Sequence, residues 1–172
     1  MNPELARAAE LIRSVPDYPE PGILFRDITP LLADAAALKA TTEALIEPFA
    51  GAFDVVAGIE ARGFILAGAA AIAAGVGLVP IRKAGKLPRP AAGVDYSLEY
   101  GTATIEMHDD LPAGTRILLI DDVLATGGTL AAGRQLVERL GHSVAGISVL
   151  FEIDGLGGRD LIGDLHTVFH SA

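Results

Sequence analysis

The stretch Ile117-Leu118-Leu119-Ile120-Asp121-Asp122-Val123-Leu124-Ala125-Thr126-Gly127-Gly128-Thr129 limits what this chain can fold into more than any other. Four apolar residues read as a buried strand, and two adjacent acids close it. A small, hydroxyl- and glycine-rich turn then leads into 130–140, which reads as a helix. A strand, a glycine-rich turn and a helix N-terminus form an anion cradle. Backbone N–H groups point outward, the helix dipole favours negative charge, and glycine lets a phosphate come close. Two acids just before such a cradle are poor neighbours for a phosphate alone. They suit a ligand that also carries hydroxyls needing acceptors, as a ribose diol does. The stretch therefore points to a sugar phosphate.

The remaining composition is consistent with one folded domain of 172 residues, in which 51% are hydrophobic and 20% charged. One uncharged run, Phe64 to Ile81, reaches the ~18 residues at which a membrane span becomes a candidate. It is rich in Ala and Gly and interrupted by Pro80, which fits a packed helix followed by a strand. Residues 1–13 contain Glu4 and Glu10 and lack a signal-peptide core. The chain has no cysteine, which excludes disulfides, thiolate metal sites and a cysteine nucleophile. The expectation is a cytoplasmic protein. A formal net charge of −9 argues against nucleic acid and anionic membranes as partners, since both need a basic face. Against that background Arg82, Lys83, Lys86 and Arg89, with no acid between Pro80 and Val94, form a local cluster suited to an anion.

Read in order, residues 3–13 have the apolar spacing of a short amphipathic helix, and the prolines of 15–22 break regular structure. Ile23-Leu24-Phe25 reads as a short strand and 26–30 as a turn. This proline-rich arm is expected to be a lid or a surface wrap. Asp34 is a candidate N-cap for a helix ending near Pro48. A strand over 54–59, a helix over 64–74 and a strand over 77–81 imply a parallel crossover. Residues 82–95 read as a basic loop. Residues 96–100 and 102–107 read as a hairpin flap outside the main sheet. After the 117–129 stretch and its helix come a strand over 143–151 and a short one over 167–169. The fold class is α/β, a mostly parallel sheet flanked by helices, with ligands at the carboxyl ends of strands.

Common phosphate motifs fail. Gly85-Lys86 is followed by Leu87 and lacks the upstream glycine of a P-loop. Gly75-Val76-Gly77 is followed by Pro80, where the dinucleotide fingerprint needs glycine. The apolar strand, two acids and Thr126-Gly127-Gly128-Thr129 turn instead resemble the phosphoribosyl pyrophosphate signature of the type I phosphoribosyltransferases. Further matches are Phe25-Arg26-Asp27-Ile28-Thr29-Pro30, Glu60-Ala61-Arg62-Gly63-Phe64, 81–88 and Tyr96-Ser97-Leu98-Glu99-Tyr100-Gly101. They span nearly the whole chain in the family's order, and together they resemble its adenine-specific branch.

The resemblance implies a type I phosphoribosyltransferase fold, with 1–33 as an N-terminal hood, 34–172 as the α/β core, and a mobile flap at about 95–108. It implies transfer of a phosphoribosyl group to adenine, giving AMP and pyrophosphate. Ala125, Thr126, Gly127, Gly128 and Thr129 would hold the 5′-phosphate. Asp121 and Asp122 would take the ribose hydroxyls and stabilise charge growing on the sugar. Glu60, Ala61, Arg62, Arg82, Lys83 and Lys86 would serve the pyrophosphate, with Mg²⁺ carried by the ligand's own oxygens and no certain protein ligand. Leu24, Phe25, Arg26 and the backbone of Arg62 would bind adenine, Phe25 by stacking. Glu99 would exchange a proton with the base, with Tyr100 as its flap neighbour. A cis peptide is expected at Ala61–Arg62, and Glu60 stands where many relatives carry aspartate. A homodimer is also implied.

The residues themselves leave the base open. Hypoxanthine, guanine, xanthine and orotate suit the same scaffold, and a regulator that kept the fold but binds nucleic acid is the reading from another class. The acidic charge and Glu99 favour the enzyme. His166 and His170 are four apart with no third ligand evident, which does not make a zinc site, and His108 and His142 read as turn residues.

Overall fold

Strands buried on both faces read as nearly unbroken apolar runs, as the stretches 55–59, 117–120 and 147–151 do. The computed structural model describes residues 3–18, 20–97 and 101–170. The chain divides into two units, Met1–Ala44 and Leu45–Ala172.

In the first unit, helix α1 (Pro3–Glu10) precedes a two-stranded antiparallel ribbon, β1 (Arg13–Pro16) with β2 (Leu24–Asp27). Val15 and Pro16 therefore lie in a strand, not in the break expected over 15–22. A two-stranded ribbon leaves an outer edge on each strand, where proline's missing donor is tolerated. The reversal falls later: Asp17 takes a left-handed conformation, and its Oδ1 accepts the Gly22 N–H at 2.7 Å. The turn expected over 26–30 is also divided differently. Arg26 and Asp27 end β2, and α2 (Thr29–Ala33) starts at once, because proline is tolerated in a first helical turn. Helix α3 (Ala35–Ile46) follows. Asp34 caps it as expected, its Oδ1 accepting the Ala36 and Ala37 N–H groups at 3.1 and 3.0 Å. Arg7 pairs with the same carboxylate.

The second unit is built on a seven-stranded sheet. In chain order its elements are β3 (Val55–Ile59), α4 (Arg62–Ala74), β4 (Gly77–Lys83), β5 (Ala92–Ser97), β6 (Thr102–Met107), β7 (Arg116–Leu124), α5 (Gly128–Arg139), β8 (Ser143–Glu152), α6 (Gly158–Ile162) and β9 (His166–His170). The sheet order is β5-β6-β4-β3-β7-β8-β9, parallel from β4 through β9. All five residues of β3 are buried. Val55, Ala57, Ile59, Ile117, Leu119, Ile147 and Val149 share one core with Leu130, Leu136 and Val137 of α5.

Three expectations change. The hairpin of β5 and β6 belongs to the sheet, through antiparallel pairing of Arg82 with Glu106 and Lys83 with Ile105. Arg82 and Lys83 accordingly end a strand and do not start a loop, since the β6 backbone satisfies theirs. Asp121 and Asp122 lie inside β7, which runs on to Leu124 because β8 pairs alongside as far as Glu152. Helix α6 was not foreseen.

Candidate active site

The carboxyl end of β7 leads through 125–127 into α5, as the sequence pattern requires. Gly127 sits at φ +83°, and α5 opens at Gly128 with the Ala131 N–H bonded to the Gly127 carbonyl at 2.9 Å. The remaining first-turn donors of a helix have no intrahelical acceptor, so this end presents them with the positive end of the dipole. Beside the turn lies a cavity of about 350 Å³, with Tyr96 and Ser97 of the flap base and Thr126, Gly128 and Gln135 in its walls. A hydrogen bond from Arg139 to the Gly93 carbonyl (2.8 Å) and one from Thr104 to Asp95 (2.6 Å) fix this base.

Asp121 and Asp122 are 8% and 7% exposed. The Asp122 N–H donates to Asp121 Oδ1 at 2.8 Å, and Arg62, on the first turn of α4, bridges Asp122 Oδ2 at 2.5 Å. Burial, and then the neighbouring Asp122 charge, push the Asp121 carboxyl well above the usual carboxylate range. Burial also raises Asp122, against the opposing pull of Arg62. Sequence reasoning put Arg62 with the pyrophosphate and the base. The structure adds that it is the counter-charge of Asp122.

Arg62 can reach Asp122 because α4 lies very close to β3 and β7. A Cβ on Gly58 would come 2.6 Å from Ala67 Cβ and 2.9 Å from the Gly63 carbonyl. One on Gly63 would come 2.9 Å from Asp121 Oδ1. Neither glycine was singled out from sequence as a spacer. The cis peptide lies at Glu60–Ala61, one bond before the place expected. Ala61 already has right-handed helical torsions as the N-cap of α4, so the Ala61–Arg62 bond belongs to the helix entry, where trans geometry is required.

Glu60 gathers the basic segment. Lys86 Nζ lies 2.6 Å from Glu60 Oε1, Arg82 Nε lies 3.4 Å from Oε2, and the Lys83 N–H donates to Oε2 at 3.0 Å. The Lys86 ammonium, helped by the Lys83 amide and Arg82, holds this carboxyl down at about 2. Arg82 also donates to the Lys86 carbonyl at 3.1 Å, closing the loop on itself. Glu60 is thus the residue that orders the cations.

The base-side residues belong to other elements. Leu24, Phe25 and Arg26 are in β2 of the first unit. Phe25 meets Tyr18 edge-on with centroids 5.2 Å apart, and Arg26 donates to Ser14 Oγ. Glu99 and Tyr100 lie outside the described residues. Of the histidines, His142 is fully buried with Nε2 at 3.1 Å from Asp109. That is more than a turn position. His170 stands 3.4 Å from Glu152, which with Asp154 brings three ligand-type atoms within 4.8 Å of one another. Glu152 is already engaged there by Arg159.

The site's acids bear on how a metal would be held. Asp121 accepts an amide, Asp122 faces Arg62, and Glu60 faces Lys86 and Arg82. A divalent ion held chiefly by the oxygens of a pyrophosphate ligand fits such a donor set.

Comparison with known proteins agrees with this geometry. Residues 27–165 match the family profile of the phosphoribosyl transferase domain. An adenine phosphoribosyltransferase of Renibacterium salmoninarum is 61% identical over 88% of this chain and 84% of its own length. That of Thermobifida fusca is 53% identical over 90% and 89%. Among crystal structures, adenine phosphoribosyltransferase from Rhodothermus marinus superposes with a TM-score of 0.92 at 48% identity, covering 98% of both chains. The Giardia lamblia enzyme complexed with 9-deazaadenine gives 0.91 at 40% identity, also covering 98% of both.

Proposed function

Since the chain belongs to the adenine phosphoribosyltransferases of the phosphoribosyl transferase family, we propose that it converts adenine and phosphoribosyl pyrophosphate to AMP and pyrophosphate, a purine-salvage reaction. The bond from the anomeric carbon to the pyrophosphate oxygen breaks, and one from that carbon to adenine N9 forms. The observation that carries this reading is the buried Asp121-Asp122 pair on the strand that runs directly into the 125–128 turn and α5.

In this reading the 5′-phosphate sits on the backbone donors of 125–129 with the Thr126 and Thr129 hydroxyls. Asp121 and Asp122 accept from the ribose hydroxyls and stabilise the positive charge that develops on the ring. The Arg62 guanidinium pairs with Asp122 and works against the burial that raises its carboxyl. Arg82, Lys83 and Lys86 neutralise the leaving group once its oxygens compete with Glu60. Mg²⁺ carried by the pyrophosphate oxygens would supply further charge neutralisation beside these cations. Leu24, Phe25 and Arg26 hold the base, and Glu99 takes up the base proton. The support for these last assignments is the sequence match at 25–30 and 96–101. Closure of the flap would exclude water, which competes with adenine for the sugar.

No helix among the described residues is long and apolar enough to cross a membrane. We place the enzyme in the cytoplasm as a homodimer, as the family resemblance implies; Ile65 and Ile72 of α4 and Leu78 of β4 are large apolar side chains that stand exposed. The test of function is incubation with donor, Mg²⁺ and each nucleobase in turn, with nucleotide formation read by chromatography. AMP from adenine alone is expected. A nucleotide from hypoxanthine or guanine in preference would reassign the base, and no product with any base would remove the enzymatic reading.

A further inference from the structure

Helix α6 has no part in the chemistry above, yet its backbone lies against the phosphate turn. A Cβ added at Gly158 would stand 2.2 Å from the Ala125 carbonyl oxygen and 2.8 Å from Leu124 Cδ1. One added at Gly127 would stand 2.9 Å from the Gly158 carbonyl oxygen and 3.1 Å from Ile162 Cγ1. Two stretches of main chain are thus stacked with no side chain between them, and the position of 125–127 depends on where α6 sits.

A five-residue helix cannot hold its own place, and two arginines hold this one. Arg159, the residue after Gly158, reaches Glu152 with both faces of its fork. Nε donates to Oε1 at 2.9 Å and to Oε2 at 3.1 Å, and Nη2 binds Oε2 as well. Nη2 also donates to Thr167 Oγ1 at 3.0 Å, and Nη1 to the Leu165 carbonyl at 3.3 Å. Glu152 is 6% exposed and ends β8 opposite Leu124, the last residue of β7 before the turn. The Arg159 fork keeps this buried carboxyl below its usual range. At the other end of α6, Arg134 donates to the Ile162 carbonyl at 2.9 Å, and Arg134 is on α5, the helix the turn opens. Strand, turn and helix are therefore tied back to α6 at both ends. The three ligand-type atoms around Glu152 have this explanation, since a guanidinium fills the place a cation would take.

We infer that Arg159, Glu152 and Arg134 are positioning residues for the 5′-phosphate turn, acting through the backbone contact of Gly158 with Ala125 and Gly127. The inference rests on the reading of 125–129 as the 5′-phosphate cradle. It predicts an effect on one part of the donor and not on the other. A guanidinium fork is not replaced by lysine, because the ammonium is a point charge without planar geometry.

The experiment uses the full chain in three variants, Arg159→Met and Arg134→Met, each keeping an apolar stem, and Arg159→Lys. Calorimetry measures ribose 5-phosphate, pyrophosphate with Mg²⁺, and phosphoribosyl pyrophosphate. Hydrogen exchange follows the amides of 125–129, with Val55–Ile59 as the internal reference. Both methionine variants should bind ribose 5-phosphate and the full donor at least tenfold more weakly, with pyrophosphate within twofold of the unsubstituted chain. Exchange should accelerate tenfold or more at 125–129 and stay unchanged in β3. Arg159→Lys should recover less than half of the lost affinity on a logarithmic scale. Unchanged exchange at 125–129 overturns the proposal whatever the ligands do, and so does equal weakening of ribose 5-phosphate and pyrophosphate. Should the unsubstituted chain bind pyrophosphate but not ribose 5-phosphate, the cradle reading falls and takes this inference with it. Faster exchange at 125–129 with ribose 5-phosphate affinity unchanged overturns the inference alone.

Discussion

Asp121 carries a carboxyl into a buried place, next to a second carboxyl that is paired with the Arg62 guanidinium. A carboxyl whose folded pKa is raised costs stability once pH exceeds the unfolded value near 3.9. The fold holds a proton there that the unfolded chain has lost, so stability falls as pH rises toward the raised value and stays low above it. Asp121→Asn keeps an oxygen for the Asp122 N–H and removes this cost. It should raise Tm at pH 7 by about 2–8 °C, corresponding to about 1–2 kcal/mol. It should also flatten the dependence of Tm on pH above 4, while kcat/KM falls at least tenfold. A lower Tm at pH 7 would contradict the burial argument. Glu60 works with the opposite sign. Its carboxyl is held down at about 2, so its contribution is present above the unfolded value near 4.5 and is lost as pH falls toward 2. Glu60→Gln should lower Tm at neutral pH, and the gap to the unsubstituted chain should close between pH 4.5 and 2. Asp121 stood out as a candidate from its neighbours in sequence, and Glu60 from the family resemblance of 60–64. Their charge states were not legible there, because burial and the Lys86 partner exist only in the fold.

The contact of α4 with β3 and β7 sets where Arg62 and the two acids stand. Gly58 and Gly63 permit it, and an alanine at 58 has backbone and Ala67 Cβ inside contact distance. Gly58→Ala should cost about 1–3 kcal/mol in stability, measured by urea unfolding. It should also lower kcat/KM, because Arg62 moves away from Asp122. Stability loss with full activity would show that the helix can shift without disturbing the pair. Elements were easy to read where one pattern ran unbroken, as in β3 and α5. They were misread where pairing with a distant strand decided the matter. Arg82 and Lys83 look like a loop because they are charged, and they are a strand because Glu106 and Ile105 pair with them. Helix α6 has five residues, with Gly157 just before it and Gly163 just after it, and is too short for an apolar period to register.

For the molecule as a whole, binding of the donor to the folded chain alone must raise its apparent stability. At 100 times Kd the gain is about 2.7 kcal/mol, or roughly 5–11 °C in Tm for a chain of this size. Phosphoribosyl pyrophosphate with Mg²⁺ should give that shift. Adding a chelator should abolish turnover and leave the far-ultraviolet circular dichroism unchanged, since Asp122 and Glu60 are paired with Arg62, Lys86 and Arg82 in the fold itself. An unchanged Tm at saturating donor would count against the whole site. The amino-acid sequence by itself determined the fold class and the strand, turn and helix of 117–139, and it carries the reading of that turn as a sugar-phosphate cradle. Strand, turn and helix are local, and the anion chemistry of 117–129 is written in neighbours along the chain. Only the tertiary structure decided that Arg62 neutralises Asp122, that Glu60 orders the cations, and that α6 bears on the turn. Each of these joins residues far apart in sequence, and their energies come from burial and from backbone contact that a linear pattern does not contain.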